Sequence, residues 1–308
     1  MQAADRPTFC VVGAGLMGAA VARAIHGAGY KTSIWSRTRE RTRPLEEEGF
    51  PVAASAEAGI ASADITILLL TDFETTRPLL RGCEADLAGK TIVNLMTGTE
   101  SDARKFAELV ASADGLAIDG AILSYPSQIG QSSGTVLYCG SEKAWTAWGP
   151  ALLRLGGRSR WLGPNHGLSA ILDTAATGAF FQTTLAAFVE AAAYVEARGV
   201  RVEVLSSLIQ ELWPSFNSSI AQASESIATR RWGTQEATLD TFCAATRLWQ
   251  IELQQAGMRA PLLTASLESM RRAQAEGHGS SSFYSQFLTS GTAQPAVNSG
   301  PDSDGVSG

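Results

Sequence analysis

A glycine-rich turn lies near the start of the chain, at Gly13-Ala14-Gly15-Leu16-Met17-Gly18. It follows the apolar run Phe9 to Val12 and precedes a helical pattern, AAVARAIHGAGY. Glycines at this spacing allow a tight turn, a close approach of the backbone to a pyrophosphate and tight helix packing, while amides at the helix N-terminus hold the anion. The alternative is a purely structural turn. We predict dinucleotide binding, with the pyrophosphate held by Gly13, Gly15, Leu16, Met17 and Gly18.

A second cluster with chemical potential is Ser36-Arg37-Thr38, which is followed by Arg39 and Arg41. In NAD-specific sites an acidic residue about twenty positions after the glycines binds the ribose 2′-hydroxyl. A guanidinium with two hydroxyls instead matches a dianionic phosphate in charge and geometry. The alternative is a solvated basic turn without a ligand. The sequence therefore predicts NADPH/NADP⁺ as the cofactor, with its 2′-phosphate held by Ser36, Arg37, Thr38 and Arg41.

These residues need a parallel sheet to position them, and the first half of the chain predicts one. Apolar runs alternate with helical segments, and fully apolar strands are typical of a parallel sheet covered on both faces. Two further short strands, near Thr135 to Gly140 and Arg158 to Gly163, extend the sheet. The fold class is α/β with an N-terminal Rossmann-type doubly wound domain, and its first five strands lie near Phe9–Gly15, Lys31–Arg37, Ile65–Thr71, Thr91–Met96 and Leu116–Leu123.

The second half is predicted to be all-helical. An apolar, small-residue segment from Leu168 to Arg198 gives a helix of roughly 45 Å at about 1.5 Å per residue, more than one domain buries alone. We expect it to bridge domains or subunits. Further helices are expected at 203–212, 216–229, 238–255 and 260–276, with turns at Trp213-Pro214, Gly257 and Gly277. The domains predicted are 1–163 for NADP binding, 164–288 for the long helix and a helical dimerisation and substrate domain, and 289–308 as a disordered tail.

Composition excludes several classes of protein. The 308 residues carry 30 acidic against 24 basic side chains, a net charge of −6, which disfavours nucleic-acid binding. No run of eighteen apolar residues and no basic-then-apolar N-terminus is present, so we expect a cytoplasmic protein without a membrane partner. The four cysteines form no CxxC pair and the three histidines stand apart, so neither a metal site nor a disulfide framework is predicted.

Several motifs together resemble the β-hydroxyacid dehydrogenase superfamily and, within it, the NADPH-dependent imine reductases. They are GAGLMG, WSRT, VNLMTGT (Val93 to Thr99), DGAILSYPSQIG (Asp119 to Gly130), Leu172-Asp173 at the start of the long helix, and AEGHGSSSFYSQF (Ala275 to Phe287). The resemblance covers nearly the whole chain to about residue 287. It implies NADPH-dependent reduction of imines or iminium ions to amines and a homodimer with exchanged helical domains. It leaves open whether the enzyme also catalyses reductive amination of a ketone with an amine.

Charge supports the same interpretation. A hydroxyacid dehydrogenase binds an anionic substrate, and the superfamily places a lysine on the interdomain helix. This chain has no lysine between Lys143 and Gly308, and the segment that should hold one carries Asp173 among apolar and small residues. A carboxylate favours a cationic iminium, which accepts hydride more easily as positive charge gathers at C=N. The alternative for Asp173 is an N-cap or an internally bonded acid of the helix.

The remaining predicted site residues have weaker signals. Leu70, Thr71, Asn94 and Thr97 follow successive strands and should line the nicotinamide side, although Thr97 could equally be an ordinary turn hydroxyl. Relatives place a tyrosine or aspartate eight residues after the acid, where this chain has Phe181, so proton delivery falls to Asp173, Tyr125, water or a substrate that is already protonated. The catalytic set is Asp173, Phe181, Thr97 and Tyr125, and the substrate pocket is Tyr125, Phe180, Phe181 and Trp213, with core packing as the alternative for the aromatic residues.

Two other functions remain open at this stage. One is a hydroxyacid or short-chain aldehyde-acid dehydrogenase of the same superfamily, which the missing lysine disfavours. The other is a non-catalytic NADP-binding sensor, which Phe181 favours.

Overall fold

The chain forms two compact units that divide after Gln182, and this computed structural model describes residues 7–291. The sequence places the domain boundary earlier, at residue 163. The contacts therefore assign the first turns of the long helical run to the nucleotide-binding unit. Most of the predicted disordered tail, from residue 292 onward, lies outside the described residues.

The first unit is built on one seven-stranded sheet in the order β2-β1-β3-β4-β5-β6-β7. The order reverses next to β1, and open α/β sheets bind ligands at such a switch point. The predicted Rossmann-type fold class is thereby confirmed. The strands are Thr8–Val12 (β1), Lys31–Trp35 (β2), Ile65–Leu68 (β3), Thr91–Asn94 (β4), Leu116–Ile122 (β5), Val136–Gly140 (β6) and Arg160–Trp161 (β7).

The last two strands, β6 and β7, run against the other five. Strands β1 to β5 pair in parallel, but β6 is antiparallel to β5, with Asp119 opposite Cys139. A parallel return needs a crossover, usually a helix, whereas the segment between β5 and β6 holds only a short 3₁₀ turn at Pro126–Gln128. The short connection therefore turns the chain back along β5.

Helices cover both faces of this sheet. Successive side chains of a strand point to opposite faces, so Phe9 and Val11 of β1 belong to one buried cluster, whereas Cys10 and Val12 belong to the other. This double burial explains the apolar strands seen in the sequence.

Polar side chains begin several of these helices by accepting hydrogen bonds from first-turn amides, as N-caps do. Ser55, Asp72, Thr99 and Ser141 have this role. The helices of the first unit are Leu16–Gly27 (α1), Arg43–Glu47 (α2), Ala56–Ser62 (α3), Phe73–Gly82 (α4), Glu100–Ser112 (α5), Glu142–Leu152 (α6) and Leu168–Asp173 (α7).

The long predicted helix is present but not uniform. After α7 the backbone forms a π-helical stretch, Thr174–Gln182, and then returns to an α-helix at Thr183–Ala197 (α8). Helical structure therefore runs from 168 to 197, as predicted, with a change of winding directly after Asp173. Stretches of π-helix are rare and often accompany functional sites.

In the second unit, one long helix replaces two predicted ones. The expected turn at Trp213-Pro214 is wrong, because Val202–Thr229 (α9) continues through Pro214. A proline weakens a helix interior by roughly 3 kcal/mol, but an apolar pattern that continues at helical spacing on both sides outweighs it. Leu239–Gln255 (α10), with Thr238 as N-cap, and Pro261–Ala273 (α11) follow. A π-helical turn, Gln274–His278, and a 3₁₀ segment, Phe283–Thr289, come after them.

A small core joins the last helices of this unit. Leu239 and Cys243 of α10 pack with Leu267, Met270 and Ala273 of α11. On α8, the carboxylate of Glu190 accepts hydrogen bonds from the first amides of α11, Leu262 N at 3.1 Å and Leu263 N at 3.3 Å. Among residues 7–291, no helix is both long enough and apolar enough to cross a membrane.

Candidate functional site

The turn between β1 and α1 has the geometry that its glycines predict. Gly13 has φ of +115°, and a Cβ there would lie 2.3 Å from Leu69 O. A Cβ on Gly18 would lie 1.7 Å from Gly13 O. Both positions therefore require glycine because of the protein's own backbone.

Gly15 differs from the other two glycines. A Cβ at Gly15 would meet no protein atom within 4 Å, and the backbone φ is an ordinary −71°. The fold itself does not require glycine here, so the open space suits a ligand that approaches the backbone. No side chain caps this end of α1, which leaves its first amides available to an anion such as a pyrophosphate.

A cleft of about 520 Å³ runs along the carboxyl ends of β1, β2 and β3. Arg37 and Arg41 line it, and neither forms an ion pair within the described part of the chain. Their charges are therefore available to an anionic group. The predicted cofactor residues brought together here are Gly13, Gly15, Ser36, Arg37, Thr38, Arg41, Leu70 and Thr71.

Sequence reasoning missed part of this cleft. Trp35, Glu57, Leu69, Thr75 and Leu79 also line it. Trp35 and Leu69 are next in sequence to predicted residues at strand ends, so their position in the sequence could have identified them as cleft residues. Glu57 and Leu79 come from α3 and α4, whose approach depends on helix packing.

Three predicted pyrophosphate residues, Leu16, Met17 and Gly18, do not line this cleft. Leu16 is 85% exposed, whereas Met17 packs against the buried cluster beside α1. Side chains at these positions therefore face different surroundings. Only their amides belong to the anion-binding end of the helix, so the sequence motif predicts backbone roles here.

A second, smaller cleft lies at the ends of β4 and β5. Its volume is about 10 Å³, and the residues that line it include Asn94, Thr97, Asp102, Asp119 and Asp173. The structure therefore brings Thr97 and Asp173 to one cleft. It also adds Asp119, a buried acid of the DGAIL segment that was not among the predicted site residues.

Asp173 is the last residue of α7, and Gly167 is the N-cap of that helix. The N-cap alternative for Asp173 is therefore wrong. Within residues 7–291 no hydrogen bond or ion pair engages its carboxylate, and the residue is half-buried. An acid in this state can face a cationic group in the cleft.

Asp102, unlike Asp173, is an acid whose carboxylate is hydrogen-bonded within the protein. Its carboxylate accepts hydrogen bonds from Thr99 N at 3.1 Å and Thr99 Oγ1 at 2.7 Å, which completes a capping box at the start of α5. These bonds lower the pKa of Asp102. Its negative charge is therefore committed to a helix end.

The predicted aromatic residues belong to three separate segments of the chain. Phe180 and Phe181 follow Asp173 on the π-helical stretch, each 44% exposed. Tyr125 is 61% exposed, and its backbone amide donates to Gln128 Oε1 at 2.9 Å. Trp213, 47% exposed, belongs to the second unit. All four side chains are exposed in a single copy of the chain, so their place in a substrate pocket stays a prediction.

Metal ligation finds no support among the described residues, which contain no group of three or more His, Cys, Asp or Glu side chains that could hold an ion. All four cysteines are free and buried. Burial raises the pKa of Cys10 and of Cys83 to about 11, so both stay thiols at neutral pH.

Comparison with known proteins matches both halves of the chain. A family model described as the NAD binding domain of 6-phosphogluconate dehydrogenase matches residues 8–163. Another, described as the C-terminal domain of NADPH-dependent reductive aminase-like proteins, matches residues 165–289.

Individual relatives agree. The chain is 35% identical over 165 residues to the NADPH-dependent reductive aminase of Aspergillus oryzae (strain ATCC 42149 / RIB 40), covering 54% of this chain and 56% of the relative. Matches to curated relatives thus span about half of those proteins or less.

Solved structures match over more of their length. An imine reductase from Pseudomonas sp. has 29% identity and a TM-score of 0.86, with 92% of this chain and 99% of that chain covered. A reductive aminase from Aspergillus terreus in complex with NADPH and ethyl levulinate has 26% identity and a TM-score of 0.87, with the same coverage. This chain belongs to the superfamily whose NAD binding domain is that of 6-phosphogluconate dehydrogenase, and within it the chain is similar to NADPH-dependent imine reductases and reductive aminases.

Proposed function

We propose that this protein reduces imines or iminium ions to amines with NADPH, including imines formed from a ketone and an amine. Family membership supports the reaction class. The observation that carries the proposal is the unpaired carboxylate of Asp173 in a cleft with Thr97 and Asn94. In a chain without a lysine after Lys143, this cleft presents a negative group to its substrate.

The residues present fit NADPH. The open backbone at Gly15 and the uncapped end of α1 suit a pyrophosphate, and Ser36, Arg37, Thr38 and Arg41 suit a 2′-phosphate. When bound, NADPH supplies a hydride to the substrate carbon. Leu70 and Thr71 adjoin the same cleft and would shield the reacting end from water.

Asp173 supplies the electrostatic part of the reaction. A carboxylate that is half-buried attracts a cationic C=N group more strongly than one in bulk water. The same charge repels a carboxylate substrate, which disfavours the hydroxyacid dehydrogenase alternative. Fixed charges aimed at the reacting group are commonly the largest contribution to catalysis.

Phe181 cannot donate a proton. We infer that the substrate nitrogen is protonated before hydride transfer, so no proton donor is needed at position 181. Phe180 and Phe181 would then give the pocket an apolar surface. Tyr125, whose side chain is exposed, would remain a polar contact at the edge of this pocket.

The decisive experiment compares NADPH oxidation with a cyclic imine, such as a pyrroline, and with a 2-oxo acid. We expect turnover of the imine, and about a 10²-fold loss of kcat in Asp173→Asn with an unchanged Kd for NADPH. The matched control is Asp102→Asn, which alters the acid of the same cleft that belongs to the capping box of α5. This variant should have a lower Tm and an unchanged kcat. Turnover of the 2-oxo acid alone would support the dehydrogenase, and NADPH binding without any turnover would support the sensor.

We further propose that the protein is a homodimer formed through the helical unit. Of the described residues of α8 and α9, none is buried. Five apolar side chains spaced four residues apart line one face of α9, and each is 36 to 58% exposed: Val204, Leu208, Leu212, Phe216 and Ile220. A second copy would cover such a stripe. Trp213 adjoins it and would then contribute to a pocket formed by two subunits.

A further inference from the structure

The carboxylate of Asp119 joins three other elements at one buried point. Asp119 lies in β5 and is 2% exposed. One oxygen accepts a 2.7 Å hydrogen bond from Asn94 Nδ2, at the end of β4. The other accepts a hydrogen bond from Ser169 Oγ in the first turn of α7, and Cys139 Sγ of β6 lies 4.0 Å from it.

Such a group is costly to bury, since a carboxylate loses its hydration in the interior. Burial raises the pKa of Asp119, while the bonds from Ser169 and Asn94 lower it. An apolar residue would pack between the strands without this cost. The acid therefore calls for an explanation beyond packing.

Its two partners lead to the two walls of the cleft that contains Asp173. Asn94 Oδ1 accepts from Met96 N at 3.1 Å, which fixes the turn that carries Thr97. Ser169 precedes Asp173 by four residues, one helical turn, on the same six-residue helix. Both walls are thus held by the two oxygens of one carboxylate.

We propose that Asp119 is a positioning residue for imine reduction, acting through Ser169 to hold Asp173 and through Asn94 to hold the Thr97 turn. The proposal rests on the proposed function. Asp119 itself is too buried to serve as a general acid for a substrate. Removing a residue that orients a catalytic side chain through a hydrogen bond typically lowers activity by about 10- to 100-fold.

The first test uses Ser169→Ala, which removes the link to α7 and preserves the link to Asn94. We expect kcat for a cyclic imine to fall about 10-fold or more, with the Kd for NADPH within about 3-fold of wild type. The matched control is Tyr138→Phe on the neighbouring strand, which loses another buried hydroxyl bond, to Leu152 O at 3.0 Å, without touching this cluster. Equal kcat losses in the two variants would overturn the proposal.

A double-mutant cycle then asks whether Ser169 acts through Asp173. If it does, Ser169→Ala combined with Asp173→Asn should have no lower kcat than Asp173→Asn alone. Multiplication of the two losses would instead show that Ser169 acts independently, and the positioning role would be wrong.

Amide hydrogen exchange separates this proposal from the proposed function, because it needs no turnover. Ser169→Ala should speed exchange in 168–173 only, whereas Asp119→Ala should speed it in both 168–173 and 94–99. Should Asp119→Ala fold poorly, Ser169→Ala and Tyr138→Phe decide the question. If Asp173→Asn retains full activity, the proposed function fails, but unchanged exchange in 168–173 is what would refute the anchoring by Asp119.

Discussion

At the scale of single residues, the turn between β1 and α1 contains glycines that are there for two different reasons, namely crowding by the protein and access for a ligand. Protein atoms crowd Gly18 but not Gly15, so the fold requires glycine at position 18, and we propose that the cofactor requires it at position 15. We expect Gly15→Ala to weaken NADPH binding at least 10-fold while costing no more than about 1 kcal/mol of unfolding free energy. Gly18→Ala should cost more than about 2 kcal/mol, because the backbone must shift. Denaturant unfolding and fluorescence titration with NADPH distinguish the two, and equal destabilisation would contradict the distinction.

We predict that Arg37 decides which nicotinamide cofactor binds. Loss of a charge-assisted bond to a phosphate costs about 1.5 to 3 kcal/mol, so Arg37→Ala should lower the ratio of NADPH to NADH affinity about 10- to 100-fold. Arg39→Ala is the matched control, since Arg39 lies in the same basic segment but not among the residues that line the cleft. Separate titrations with each cofactor measure the ratio. An unchanged ratio in the Arg37 variant would refute its assignment to the 2′-phosphate.

Asp119 should make stability depend on pH. Because its pKa is raised in the folded chain, folded protein retains this proton to higher pH than unfolded protein does. Wild-type unfolding free energy should therefore fall, relative to Asp119→Asn, as pH rises above about 3.9, the usual Asp value, and the difference should level off above the folded pKa. Urea unfolding of both proteins across this range gives the difference. A wild-type unfolding free energy that rises relative to that of Asp119→Asn over this pH range would show the opposite shift.

At the scale of secondary structure, Pro214 is the clearest conflict between local preference and tertiary context. It lies inside α9, so Pro214→Ala should raise the unfolding free energy by about 1 to 3 kcal/mol. Pro261→Ala is the control, because Pro261 opens α11, where proline is favoured; that change should lower stability slightly. Denaturant unfolding compares the pair, and destabilisation by Pro214→Ala would mean that the helix needs the proline.

Local signals in the sequence also defined most elements correctly. Capping residues, apolar runs and glycine turns predicted all seven strands and the start of α10, because these depend on neighbours within a few residues. The antiparallel direction of β6 and the π-helical winding after Asp173 were not predictable in this way. The direction of β6 depends on what the connection from β5 can span. The winding of the helical segment after Asp173 depends on what packs against it.

At the scale of the whole molecule, assembly is the open prediction. Light scattering during gel filtration should give twice the chain mass, and Leu212→Glu should shift it toward the monomer because it places a charge in the apolar stripe of α9. Asn217→Glu adds the same charge to the same helix outside the stripe and should leave the mass unchanged. A monomeric wild type would refute the homodimer. Cytoplasmic location stays a prediction.

The sequence by itself determined the fold class and predicted the family and the cofactor-binding segments, because all of these rest on short patterns of residues close together in the chain. It also predicted a negative charge at the reacting group, from Asp173 and the missing lysine. Only the tertiary structure decided that the Asp173 carboxylate is unpaired and that Asp119 links Asn94 to Ser169. Those partners are 25 and 50 residues away from Asp119, and only the packing of sheet and helix brings such distant groups into contact.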